Sequence, residues 1–157
     1  LMINGFRHRS MAIEGLTAAS LNMGTVTTTE EKIVIEDLMR SALDSHMDEM
    51  IDQIRVLADL LHMDTEFKDR FPGWAYARES PLREIARQVE KAHGNELQEN
   101  ASHGGLECSI FKGLVPELDI ITFGPIASGA HTPDEKLDLA SFDRSYEILT
   151  EVLENCR

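Results

Sequence analysis

His131 stands in the run Ser128-Gly129-Ala130-His131-Thr132-Pro133-Asp134-Glu135, a flexible loop that follows the hydrophobic stretch Leu118 to Phe123. That stretch has the composition of a buried strand, and a histidine just past its carboxyl end sits where α/β folds place ligands. A neutral imidazole is a good zinc ligand at ~2.0–2.1 Å, provided that its second nitrogen finds an acceptor to fix the tautomer. On residue type alone, a loop histidine after Gly-Ala is more often structural or merely exposed, and one ligand does not make a zinc site. His103 lies in a second glycine-rich turn, Ser102-His103-Gly104-Gly105, ahead of a short helix opening at Leu106-Glu107. The backbone N–H groups of such a helix start favour an anion. Arg40 offers a guanidinium fork that matches a carboxylate in a bidentate manner. On general usage, an exposed strand arginine and a turn-forming asparagine at Asn22 are equally good readings.

The elements that must position these residues fall into two units. Leu16 to Thr29 is rich in Thr, Ser and Val and favours a strand, Glu30-Glu31 makes a polar turn, and Lys32 to Ala42 alternates as a second strand. Ile33, Ile35 and Asp37 share one face of it. Ser45 is the expected cap of a helix, with Asp48 completing a capping box. Met47, Met50, Ile51, Ile54, Ala58 and Leu61 recur at helical spacing as its apolar stripe. Such a Met-rich stripe reads as core rather than as a cofactor site. Thr65 to Phe71 is expected as a third, edge-like strand, and Pro72-Gly73-Trp74 as the boundary. Beyond it, Ser80-Pro81 starts a helix by a hydroxyl cap and a proline at the first helical position. Leu82, Ile85, Val89 and Ala92 form its buried face, and Gly94 ends it. Leu97 to Ser102 is expected as a short strand, Leu106 to Leu114 as a short helix, and Leu118 to Phe123 as a central strand. The last helix is expected to be capped by Ser141 and to pack Phe142, Tyr146, Leu149 and Leu153.

Composition bounds the partners. The chain has 157 residues, 42% hydrophobic and 27% charged, as in ordinary globular domains. A formal net charge of −13 repels nucleic acid and anionic membranes and argues against both as partners. No run approaches the ~20 apolar residues of a membrane span, and no signal peptide core is expected at the N-terminus. Cys108 and Cys156 form no CxxC pair and no disulfide framework, which fits a reducing cytoplasm.

The block His103-Gly104-Gly105-Leu106-Glu107-Cys108-Ser109, then Phe123-Gly124-Pro125, then Gly129-Ala130-His131-Thr132-Pro133-Asp134-Glu135 closely resembles the C-terminal end of the aminoacyl-histidine (cytosol nonspecific) dipeptidases. These belong to the carnosinase and aminoacylase superfamily of two-zinc peptidases. Gly104 stands where that family has Ala, and Ser109 where it has Gly. Upstream, Ser20-Leu21-Asn22-Met23-Gly24 is similar to its Ser-x-Asn-hydrophobic-Gly strand. Leu38-Met39-Arg40-Ser41 with Asp44-Ser45, and Phe71-Pro72-Gly73-Trp74 with Ser80-Pro81, extend the likeness in one register.

The resemblance implies an α/β fold: the second half of a small antiparallel lid, or dimerisation, domain over residues 1–71, then the C-terminal part of a zinc-peptidase catalytic domain over 72–157. It implies His131 as a ligand to one of two zinc ions, with other divalent metals possible. It implies Asn22 and Arg40 as contacts to the substrate's terminal carboxylate. Gly104, Gly105 and Glu107 would lie near the same anion, and His103 would support or touch substrate. The family's other metal and catalytic residues precede its lid, so the missing N-terminal half would be an obligatory partner. His62-Met63-Asp64 and Glu30-Glu31 mimic two of those motifs but stand in reversed order, on a helix end and a hairpin turn, and are assigned no catalytic role. The expected activity is a cytoplasmic, homodimeric, zinc-dependent dipeptidase, characteristically acting on Xaa-His, with this chain alone inactive. The alternatives are a non-catalytic remnant serving as a dimerisation or peptide-binding module, and an acylamino-acid deacylase of the same superfamily.

Overall fold

The computed structural model describes residues 3–156 as two compact units. The first runs from the start of the described chain to Arg78 and takes in Asn100–Leu118; the second joins Glu79–Glu99 to the residues from Asp119 onward.

The first unit is built on a three-stranded antiparallel sheet in the order β1 (Gly5–Arg9), β2 (Thr17–Thr28), β3 (Ile33–Ser41). The two long strands match the expected ones, and their turn is closed by Thr29. Its N–H bonds Lys32 O at 2.9 Å, and its Oγ1 accepts from Glu31 and Lys32. The strand β1 is an addition, since its five residues, GFRHR, carry no apolar alternation to announce it. Thr65 to Phe71 forms no strand. That segment is instead held by ion pairs from Arg70 to Asp44 and Asp48.

One face of the sheet packs on α1 (Asp44–Leu61) through Ala19, Leu21 and Met50, joined by Ile3, Met39, Met47 and Ile54. The methionine stripe is therefore core, except that Leu61 is half exposed. The expected serine cap is absent. Ser45 lies inside the helix, Leu43 takes the cap position, and no side chain caps it. Asp44 in the first turn instead accepts from Gly73 N at 3.0 Å. Gly73 is irreplaceable for a second reason: a Cβ there would lie 2.8 Å from Ala42 O and 2.9 Å from Asp44 N, both backbone atoms. The neighbouring Pro72 lies under α3 (Glu107–Leu114), where a Cβ on Gly113 would meet its ring at 3.0 Å.

In the second unit, α2 (Pro81–Ala92) starts as expected, with Ser80 Oγ accepting from Arg83 N at 3.0 Å and proline in the first turn. Gly94, at φ +79°, follows its end and bonds back to Lys91 O. Two-residue strands β4 (Ala127–Ser128) and β5 (Lys136–Leu137) pair antiparallel, and α4 (Leu139–Asn155) follows. The core is Ala86, Val89, Ile148 and Val152, edged by Leu82, Ile85 and Ile121; Ala86, not Ala92, completes the buried face of α2.

Four expectations for the second half of the chain do not hold. Neither Leu97 to Ser102 nor Leu118 to Phe123 is a strand. A strand exists only where a neighbour takes its N–H and C=O groups, and among the described residues no partner strand lies beside either segment. Asp138, not Ser141, caps α4, accepting from Ser141 N at 2.7 Å. Phe142, Tyr146, Leu149 and Leu153 are 51%, 67%, 41% and 63% exposed. The packed stripe is Ser141, Ser145, Ile148 and Val152, which has the same spacing one residue earlier. Periodicity cannot separate two stripes so related, and the smaller one is what Ala86 and Val89 admit at close range.

Two substitutions separate the real core from the apparent one. Met50→Ala should cost about 2–5 kcal/mol in urea unfolding, as for a fully buried side chain. Phe142→Ala should stay within about 0.5 kcal/mol of the parent.

Candidate functional site

Strand alternation decides what the sheet shows on the face away from α1. Because Ala19, Leu21 and Met39 point to the helix, Ser20, Asn22, Leu38 and Arg40 point the other way. The register places Arg40 directly opposite Ser20, and Leu38 opposite Asn22. Asn22 and Arg40 are both exposed, and among the described residues neither forms a side-chain hydrogen bond or an ion pair.

His103 reaches this face from the Asn100–Leu118 segment. Its Nε2 lies 2.7 Å from Ser20 Oγ. Burial lowers the pKa of His103 below the ordinary imidazole value, and the neighbouring Arg40 charge lowers it further. The sheet therefore brings together Asn22, Arg40 and His103, with Ser20 among them. Sequence reasoning does not single out Ser20, although its place two residues before Asn22 puts it on the same face.

The glycine turn is arranged differently from a free anion cradle. Gly104 N donates to Ser102 Oγ at 3.0 Å, so that N–H is already engaged within the turn. Gly105 packs over Phe71, where a Cβ would lie 3.4 Å from the ring. Glu107 is exposed in the first turn of α3. Ser109 is buried, and its hydroxyl bonds Leu106 O at 2.7 Å, which accounts for a polar side chain at that point in the helix.

His131 belongs to the second unit, in the loop that joins β4 to β5. Its backbone is left-handed, at φ +65°, and its side chain is exposed. The residues after it hold that conformation. Thr132 N and Oγ1 both bond Gly129 O, at 3.1 and 2.7 Å, Glu135 N bonds Thr132 O, and Glu135 Oε2 accepts from His131 N at 3.3 Å. Gly129 is required, since φ is +67° and a Cβ would lie 3.0 Å from Asp134 O. As a metal site the residues present are incomplete: among the described residues no three His, Cys, Asp or Glu side chains converge on one point. His131 is a single donor, where zinc takes three or four.

The remaining histidines take other roles. His62 ends α1 in the left-handed conformation, and His93 ends α2 with Nε2 2.8 Å from Glu151. His8 and His46 stack with ring centroids 4.0 Å apart, between β1 and α1. Cys108 and Cys156 are free.

The sequence matches the profile of peptidase family M20/M25/M40 over residues 2–155. The chain belongs to that family. It is 34% identical over 151 residues to the cytosol non-specific dipeptidase of Escherichia coli (strain K12), covering 96% of this chain and 31% of that protein. Its fold is mixed α/β with antiparallel sheets. It superposes on the crystal structure of aminoacylhistidine dipeptidase from Vibrio alginolyticus with a TM-score of 0.85 at 31% identity, covering 98% of this chain and 32% of that one. This M20/M25/M40 chain thus spans under a third of the length of both relatives. Among its described residues no helix is long and apolar enough to cross a membrane.

The proximity of Arg40 to His103 has a measurable consequence. In Arg40→Ala, the His103 pKa followed by NMR should rise toward its ordinary value, because one of its two depressing causes is gone. The linkage follows in sign. With a folded value below the unfolded ~6.5, the stabilising effect of neutral His103 is fully present above that pH and is lost as pH falls through the folded value. Arg40→Ala should therefore flatten the acid side of the stability curve. An unmoved His103 titration would show that the two groups do not sense each other.

Proposed function

We propose that this chain is the C-terminal part of a metal-dependent dipeptidase in which the free sheet face receives the substrate's terminal carboxylate. The observation that carries this reading is Arg40: an exposed cation without an ion-pair partner among the described residues, directly opposite Ser20 and on the same face as Asn22. An unpaired guanidinium beside an amide and a neutral imidazole suits a carboxylate, which can take the fork in two parallel bonds. The acidic balance of the chain supports a small substrate rather than a polyanion.

In this reading residues 1–71 form part of a lid and dimerisation domain, and residues 72–157 part of the catalytic domain. Asn22, Arg40 and His103 hold the carboxylate end of the dipeptide, and Gly104, Gly105 and Glu107 shape the turn beside it. His131 is one donor to a metal, zinc in first place, whose other donors come from the part of the relatives' length that this chain does not span. A metal held there would supply Lewis-acid polarisation of a carbonyl. The names of the two relatives support a cytosolic enzyme with Xaa-His among its substrates. A homodimer formed through the lid belongs to the same proposal.

Two experiments on the complete enzyme test it. Arg40→Ala should lower kcat/KM for dipeptides by roughly 10–150-fold, the factor for losing one charge-assisted bond of about 1.5–3 kcal/mol, and Arg40→Lys should restore only part. Unchanged kinetics would remove Arg40 from the site. His131→Ala and His131→Gln should both lose bound metal and most of the hydrolytic rate while keeping the parent melting temperature, because the loop carries little apolar packing. Retention of metal and turnover by either variant would end the ligand assignment. Residues 1–157 alone, with one histidine donor, should hydrolyse no Xaa-His dipeptide.

A further inference from the structure

The contacts of the histidines differ in kind. His8 Nε2 lies 3.0 Å from Glu49 and His93 Nε2 lies 2.8 Å from Glu151, so each faces a carboxylate. His103 meets a hydroxyl instead, Ser20 Oγ at 2.7 Å from Nε2. Across the strand pair from Ser20 stands Arg40, a cation that opposes a second positive charge. A serine hydroxyl both donates and accepts, but next to a neutral ring, the form favoured first by burial and then by Arg40, only one arrangement leaves a ring N–H for an anion. That arrangement has Oγ–H given to Nε2 and the ring proton on Nδ1. Among the described residues no other hydrogen bond is made to this ring.

We propose that Ser20 is a positioning residue: it donates its hydroxyl proton to Nε2 of a neutral His103, fixes the Nδ1–H tautomer, and so leaves Nδ1–H to act beside Arg40 as donor to an incoming carboxylate. This rests on the reading of the sheet face as the carboxylate-binding surface. The two groups divide the task. Arg40 supplies the charge and the fork, while His103 supplies a directional donor that adds no second cation, so the empty site carries no like-charge repulsion between them. Ser20 sets the ring's orientation without touching the ligand. Its position is guaranteed by the core, since Ala19 and Leu21 on either side are fully buried and cannot let the strand rotate.

The test uses the whole 157-residue chain, labelled with nitrogen-15, at a pH where His103 is neutral. Ring-nitrogen shifts should report Nδ1–H in the parent and in Ser20→Thr, which keeps the hydroxyl. Ser20→Ala should move toward the Nε2–H form that free histidine prefers, with amide dispersion unchanged. Sodium acetate, titrated against sodium chloride at equal ionic strength, should perturb His103 in the parent, with roughly two- to twelve-fold weaker apparent affinity in Ser20→Ala and no saturable response in Arg40→Ala. A parent already in the Nε2–H form, or a Ser20→Ala chain with the parent tautomer, overturns the role of Ser20 and leaves the dipeptidase reading standing. The expected tautomers with no acetate response in the parent overturn the carboxylate destination, and the sheet-face reading with it.

Discussion

The contact of Ala19 and Leu21 with Met50 fixes more of this molecule than any other. Leu21 and Met50 are the largest fully buried side chains, and Ala19 between them is small enough to bring β2 down onto α1. Because side chains alternate along a strand, burying residues 19 and 21 commits 20 and 22 to the opposite face. A slip of one residue would bury Ser20 and Asn22 against methionine and leave their polar groups unpaired, at roughly 1–3 kcal/mol each. Arg40 follows from the same constraint, since its place is set by pairing with Ser20 and by Met39 joining the core. The candidate binding face is thus the complement of the hydrophobic core.

The segment around Phe71 to Trp74 ties the rest of the first unit to this sheet. Gly73 donates its N–H to Asp44 at the start of α1, while Phe71 and Pro72 sit against Gly105 and Gly113 of the His103-bearing segment. Two of these glycines, Gly73 and Gly113, face a close neighbour. A Cβ would come within 3.0 Å of another heavy atom at both Gly73 and Gly113. The Pro-Gly-Trp motif therefore acts through position: it carries the constraint from the helix to the turn that presents His103.

What was legible in the sequence was whatever local physics decides alone. The two long strands, the Ser80-Pro81 start of α2, the glycine stop at Gly94 and the Met-rich core face all follow from alternation, capping and helical spacing. The failures lie where a distant partner decides. Ser45 looks like a cap, but Asp44 is bonded by Gly73, twenty-nine positions away in sequence, and the helix begins two residues earlier, with Leu43 at the cap. The stripe Phe142, Tyr146, Leu149, Leu153 is more hydrophobic than the one beside it, yet the size of Ala86 and Val89 selects the smaller set. Of the candidate site, Asn22, Arg40, His103 and His131 were visible through their motifs, whereas the contact of Ser20 with His103 joins residues eighty-three positions apart and has no local signal.

The loop that carries His131 obeys a different rule from the sheet face. There the core dictates side-chain direction; here the backbone itself is held away from its ordinary region. A non-glycine residue at φ +65° costs on the order of 1–3 kcal/mol and persists only where its surroundings over-determine it. Those surroundings are the residues that follow it in the motif. Thr132 closes the turn onto Gly129, Glu135 accepts from His131 N, and Gly129 lets Asp134 approach within a distance that any side chain would forbid. Thr132, Asp134 and Glu135 are thereby accounted for as the frame of the loop, without being assigned to the chemistry themselves. The hairpin thus commits its hydrogen bonding to the backbone of one exposed histidine, and so sets where that side chain leaves the loop.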